Sequence, residues 1–124
     1  IYVNATNVSV TSNATYQKIL FDTVSTYSKT SGQTINSGGI AVPITGVYSV
    51  SCNWGGSGIT GVTDTAIYVN STSRARGTGA QHVPTTLYLT AADVVYVYVK
   101  TSSNSTITFT NGLEQTWLTV AMVA

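Results

Sequence analysis

What most constrains this chain is a set of strand-length segments whose side chains alternate while neither face is fully polar. In 47–54, VYSVSCNW, the residues Tyr48, Val50, Cys52 and Trp54 share one face, against Val47, Ser49, Ser51 and Asn53. In 94–100, VVYVYVK, an aliphatic face of Val95, Val97 and Val99 alternates with Val94, Tyr96, Tyr98 and Lys100. In 117–123, WLTVAMV, Leu118, Val120 and Met122 alternate with Trp117, Thr119, Ala121 and Val123. Successive side chains of an extended chain point to opposite faces, so a period of two predicts strands. Further strands are expected at 17–22, 35–42, 62–69, 85–90 and 106–110. The breaks between them are Gly-, Ser- and Asn-rich: Ser31-Gly32, Ser37-Gly38-Gly39, Gly55-Gly56-Ser57-Gly58, Gly77-Thr78-Gly79 and Asn111-Gly112. The last is a strong hairpin signal. Thr and Val dominate, as strands prefer. Eight or more short strands at this spacing predict an all-β sandwich or barrel of jelly-roll type.

Two-faced strands need two covers. In a two-sheet sandwich each sheet has one inner face and one wet face. The aromatic outer faces of 94–100 and 117–123 therefore call for something beyond the sandwich core. Another copy of the chain is the expected cover, because most soluble oligomers are symmetric homo-oligomers and monomers rarely expose large apolar patches. A loop or the N-terminal segment is the alternative. Residues 1–14 carry no strong pattern beyond Val3, Val8 and Val10, and are expected to be an arm or stalk junction preceding a single domain at 15–124.

Charge narrows the function. Only nine of 124 residues are charged, 7% of the chain, against about 25% in ordinary soluble domains. Uncharged hydrogen-bonders replace them: 14 Ser, 22 Thr, 8 Asn and 4 Gln. A net charge of +1 on scattered Lys and Arg gives no phosphate-binding footprint, which argues against nucleic acid. Hydrophobic content of 43% is too high for a disordered chain. No apolar run approaches the roughly 18 residues of a membrane-spanning helix, and no signal peptide is visible. No membrane partner is expected. A single cysteine, Cys52, excludes a disulfide framework within the chain. The chain begins at Ile1, so it is expected to be processed or a piece of a longer protein. Five Asn-x-Ser/Thr sequons, at Asn4, Asn7, Asn13, Asn70 and Asn104, would matter in a eukaryotic secreted protein.

Equipment for catalysis is scarce. A Cys52–His82 dyad is formally available. Cys52 alternates with Val50 and Trp54, however, and reads as a small buried residue, while His82 reads as a solvated loop residue. Asp22 and Asp64 could pair as acid and base, yet as isolated turn residues they read as capping groups. No Gly-x-Ser-x-Gly elbow occurs. No His or Cys cluster suggests a metal, beyond a speculative axial ion held by three copies of His82. No catalytic residue, cofactor or metal site is assigned. Candidate ligand contacts are Arg74 and Arg76, which at i, i+2 in an extended segment would point to one side and could grip a carboxylate or sulfate on a glycan. Two solvated loop charges are the plainer reading. Trp54, at a strand end where a loop opens, Tyr27 and His82 complete the candidates. For Trp54 a core position is favoured.

Five motifs then occur in a telling order. They are Gln17-Lys18-Ile19-Leu20-Phe21-Asp22-Thr23-Val24, the segment Gly39 to Val50 containing Pro43 and Gly46-Val47-Tyr48, Ala66-Ile67-Tyr68-Val69-Asn70, Leu87-Tyr88-Leu89-Thr90-Ala91-Ala92-Asp93-Val94-Val95, and Thr108-Phe109-Thr110-Asn111-Gly112 followed by Trp117 to Val123. Together they resemble the C1q-type globular head of the C1q and tumour necrosis factor superfamily, over residues 17–124. Departures are Ala92 in place of the Gly before Asp93, Ile40 in place of Phe, and an extra residue between Phe109 and Gly112. Acidic calcium ligands of some members are not evident. The resemblance implies a ten-stranded jelly-roll sandwich assembling as a homotrimer, with Tyr48, Tyr96, Tyr98, Trp117 and Thr119 at the trimer interface. It also implies that Pro43 and Gly46 shape the turn into the Tyr48 strand and that Asp93 bonds backbone amides. The low Lys and Glu content looks more like phage and bacterial members than animal ones. The expectation is a non-enzymatic recognition head on a virion surface, most simply the receptor-binding tip of a phage tail fibre touching host glycan or protein. Its partners would be itself, other virion or fibre subunits, and host-surface glycan. A capsid decoration or structural fibre protein, and a secreted or cell-surface C1q-type lectin, are the alternatives.

Overall fold

The structure, a computed structural model, describes residues 2–4, 8–11, 16–24, 32–55, 62–101, 106–109 and 116–124, with side chains over 16–22, 32–55, 62–100 and 116–124. Every regular element among them is a strand: β1 Tyr2–Asn4, β2 Val8–Thr11, β3 Tyr16–Ile19, β4 Thr23–Val24, β5 Thr34–Asn36, β6 Gly39–Ala41, β7 Gly46–Asn53, β8 Val62–Val69, β9 Thr72–Thr78, β10 His82–Leu89, β11 Val94–Thr101, β12 Thr106–Phe109 and β13 Trp117–Met122. They form two antiparallel sheets. The first runs β10-β7-β13-β1-β4; the second runs β5-β6-β11-β8-β9, with β3 also pairing β11. β12 and β2 pair separately. The fold is all-β and compatible with a jelly-roll-like sandwich.

The pairings are nested. β1 pairs β13, β6 pairs β11, β7 pairs β10, and β8 pairs β9. Chain-distant strands thus close around chain-near ones, as in one long hairpin wound on itself. Side chains between the sheets make a single core. Tyr48, Val50, Cys52, Leu118 and Val120 from the first sheet meet Ile19, Ile67, Val95, Val97 and Val99 from the second. Each is at most 1% exposed. Burying one such aliphatic side chain contributes about 1.5–3 kcal/mol, so the period-two pattern of these segments sets the sandwich.

Two local features differ from the sequence reading. The 35–42 run is a hairpin, not one strand, because Ser37 and Gly38 both take positive φ, 51° and 85°, the pairing that a tight type I′ turn requires. Residues 72–78 are a strand rather than a loop. They form an edge strand whose sequence, TSRARGT, offers only Ala75 to the core, so periodicity alone did not mark it. Two stretches of the 1–14 segment are strand-paired, β1 between β13 and β4, and β2 with β12. Asn7, Asn13, Asn104, Tyr27, Lys29, Glu114, the Asn111-Gly112 turn and most of the 55–58 loop lie outside the described residues.

One turn cluster ties the sheets' ends together. Asp93 accepts a hydrogen bond from the Thr90 amide at 2.9 Å, the role expected of it. Its other carboxylate oxygen accepts from Asn70 Nδ2 at 2.9 Å, and Asn70 Oδ1 accepts from the Val94 amide at 3.0 Å. Between them Ala92 sits at φ 77°, in the left-handed region that favours glycine. Gly46 is also tightly enclosed: a Cβ would come within 2.6 Å of the Met122 methyl and 2.7 Å of the Ala124 carbonyl.

Candidate interaction surfaces

The outer face of the second sheet follows from register. On β11 Val95, Val97 and Val99 point inward, so Tyr96, Tyr98 and Lys100 point out. Tyr98 pairs Lys18 on one side and Ala66 on the other, Lys100 pairs Tyr16 and Asp64, and Tyr96 pairs Tyr68. Arg76 pairs Ala66 one strand further out. A bulge in β9 next to the Tyr68–Ser73 pair sets Ser73 and Arg74 together opposite Tyr68. Four tyrosines on three strands thereby meet Lys18, Lys100, Arg74 and Arg76.

The rings touch one another. Tyr68 and Tyr98 lie 4.2 Å apart between centroids at 34°, Tyr16 and Tyr68 at 6.0 Å and 58°, Tyr96 and Tyr98 at 6.4 Å and 78°. The Lys18 ammonium sits 4.0 Å above the Tyr96 ring and 5.9 Å from that of Tyr98, and Lys100 is 5.8 Å from Tyr16. Such contacts contribute about 0.5–1 kcal/mol when partly exposed. Gly39 makes room, since a Cβ there would come within 2.6 Å of the Tyr96 ring. Tyr16 donates a hydrogen bond to Asp64 Oδ2 at 3.4 Å. Burial first, then the neighbouring Asp64 carboxylate, push the Tyr16 phenol up in pKa, with Arg76 pulling the other way. All four tyrosines are half-buried.

The outer face of the first sheet is different in kind. It carries His82, Pro84, Thr86 and Tyr88 of β10, Val47, Ser49, Ser51 and Asn53 of β7, and Trp117, Thr119 and Ala121 of β13. None of these described residues is Lys, Arg, Asp or Glu. His82 meets Trp117 edge-on at 5.6 Å. The Thr119 and Ser51 hydroxyls are 2.8 Å apart, and Tyr88 is 63% exposed.

The sequence-derived candidates therefore separate. Tyr48 does not belong with the interface residues: it is 1% exposed, and its hydroxyl donates to the Ile44 carbonyl at 2.7 Å. Its own chain already covers it. Trp117 and Thr119 lie on the first sheet's outer face, Tyr96 and Tyr98 on the second's, so the expected interface set is split between opposite sides of the sandwich. Arg74 and Arg76 are exposed together on β9. Trp54 packs on the core, and its indole N–H donates to Thr65 Oγ1 at 2.7 Å and to the Ala80 carbonyl at 3.3 Å. It bridges the sheets. His82 opens a strand instead of lying in a loop.

The Cys52–His82 dyad is not assembled. Cys52 is 0% exposed in the core, where burial pushes its thiol up to about 12, while His82 is exposed on the other face of the sheet. Asp22 is exposed beyond Phe21, whereas Asp64 is buried under Tyr16. Tyr16, Tyr68, Lys18 and Lys100 were not singled out as site residues from sequence. The i, i+2 spacing that puts Tyr16 with Lys18 and Tyr98 with Lys100 on one face is local to each strand, but the register that interleaves them is set by distant strands. Neither a protein-family model nor a curated protein matches the chain.

Proposed function

We propose that this chain is a C1q-type, tumour necrosis factor-like jelly-roll head that assembles as a homotrimer and serves as a non-enzymatic recognition module on a virion surface, the receptor-binding tip of a phage tail fibre. The observation that carries it is the nested strand pairing. Taking β1, β6, β7, β8, β9, β10, β11 and β13 in chain order, with β2 to β5 and β12 set aside, first pairs last, second pairs seventh, third pairs sixth and fourth pairs fifth. Two Greek keys in a double-sheet roll have this pattern.

The outer face of the first sheet supports the assembly. Interface cores are depleted in charge, and the described residues of the first sheet's face include no Lys, Arg, Asp or Glu. Trp117 and Thr119 are therefore the interface residues. Closing a neighbour over Tyr96 and Tyr98 would bury Lys18, Lys100 and Arg76 with Asp64 as the one acid of that face among the described residues, at a cost of several kcal/mol. That face stays outward and carries recognition, which favours a fibre tip over a decoration protein whose task is cohesion. The virion setting rests on the phage-like composition, in which Ser, Thr and Asn do the solvating.

Sedimentation tests the assembly: a species near three times 13.0 kDa is expected, and a 13.0 kDa species at micromolar concentration would refute it. Binding of the purified trimer to host cells, competed by purified surface glycan, tests the recognition role. Absence of binding, with virions losing stability when the protein is missing, would point to decoration.

A further inference from the structure

We infer that the tyrosine face of the second sheet is a binding site for an acidic saccharide, a glycan bearing carboxylates. The inference rests on the recognition reading above and names its ligand class. In a chain this poor in charge, the placement of charge is informative. The protein has five Lys and Arg in all. Four of them, Lys18, Arg74, Arg76 and Lys100, lie on this one face. Among its described residues the face has one acid, Asp64, which is 8% exposed and engaged by Tyr16. The surface is therefore cationic over a patch that is otherwise aromatic, while the described residues of the opposite face include no Lys, Arg, Asp or Glu.

Each component suits a sugar acid. A pyranose ring has an apolar C–H face that stacks on a tyrosine, and the phenol hydroxyl bonds the ring's hydroxyls. Tyrosines pre-packed against one another lose little side-chain entropy on binding. Arg74 and Arg76, adjacent on the bulged edge strand, offer planar forks for carboxylates. Lys18 is already held over Tyr96, so its charge is positioned before any ligand arrives. Single-stranded nucleic acid is the competing polyanion, but it needs a run of cations along the backbone and parallel platforms for successive bases. Here neighbouring rings are inclined at 34°, 58° and 78°.

The test titrates the full chain by calorimetry with a galacturonic acid oligosaccharide, its methyl ester and an oligo-dT strand of similar length. The acid form should bind, the ester at least about tenfold more weakly, since each lost charged hydrogen bond carries roughly a factor of ten. The exposed double variant Arg74→Gln/Arg76→Gln, and separately Lys18→Gln, should weaken acid binding by a similar factor with unchanged sedimentation. Raised salt should weaken the wild type likewise. No binding of the acid, equal binding of acid and ester, or tighter binding of oligo-dT would each overturn the inference. A trimer that ignores the acid refutes this inference alone; a monomer that binds it refutes only the trimer.

Discussion

Ala92→Gly should stabilise this protein, although it removes a side-chain atom and adds backbone freedom. Ala92 is held at φ 77°, where the Cβ of an L-residue costs roughly 1–2 kcal/mol. Its amide bonds the Val42 carbonyl at 2.8 Å, and the next amide, of Asp93, bonds the Thr90 carbonyl at 2.9 Å. The Thr90 amide in turn bonds Asp93 Oδ2. None of these bonds uses the Ala92 side chain, and the residue is exposed, so no packing is lost. Glycine returns about 0.4–1 kcal/mol of that strain to the unfolded chain as entropy. The net gain is about 0.5–1 kcal/mol, or roughly 2–5 °C in midpoint for a domain of this size. Urea unfolding at one fixed protein concentration is the assay, with the slope unchanged between variants. Asn70→Gly is the paired control. Asn70 also has positive φ, 55°, but its side chain bonds Asp93 and the Val94 amide. Losing two hydrogen bonds at about 1 kcal/mol each outweighs the small strain of an Asn in this region, so that variant should lose stability. A destabilised or unchanged Ala92→Gly protein would refute the strain reasoning. A stabilised Asn70→Gly protein would refute the role given to the cluster.

Three further outcomes are expected. Gly39→Ala should destabilise by at least about 2 kcal/mol, because its methyl would lie 2.5 Å from the Val95 carbonyl and 2.6 Å from the Tyr96 ring; tyrosine fluorescence and urea midpoints would show it, and a neutral result would mean the face is looser than drawn. Cys52 should resist thiol reagents in native protein at pH 8 and react only as fast as the chain unfolds; because its folded value is raised to about 12 from 9.0, the neutral thiol's contribution is complete below pH 9 and is lost as pH rises toward 12, a slope that Cys52→Ala should reduce. Trp117→Glu should dissociate the proposed trimer in sedimentation, whereas Tyr98→Glu should leave it assembled; the reverse pattern would place the interface on the tyrosine face.

Much of the sandwich was legible in the sequence because its signal is local. Val95, Val97 and Val99 alternate with Tyr96 and Tyr98 whatever else the chain does, and hydrophobic burial then dictates which side faces inward. The strand β9 was not legible, because an edge strand with one inward apolar residue has almost no period to detect. The 35–42 hairpin was half legible: the Gly pair marked a break, but the positive φ of Ser37 depends on the strands it joins. Tyr48 shows the converse error. Its alternation with Val50 and Cys52 had placed it on the core face, and the family resemblance drew it to an interface that its own core position forbids.

By itself the sequence determined an all-β chain with too few charges for steering and little acid–base equipment. Only the tertiary structure decided where those few charges stand. Register is a long-range property: Lys18, Tyr98, Ala66 and Arg76 come from four segments and form one row only because β3, β11, β8 and β9 pair as they do. A shift of one residue in any strand would turn its cation or ring into the core. The composition therefore fixed how little charge there is, and the pairing of distant strands gathered it onto one aromatic face.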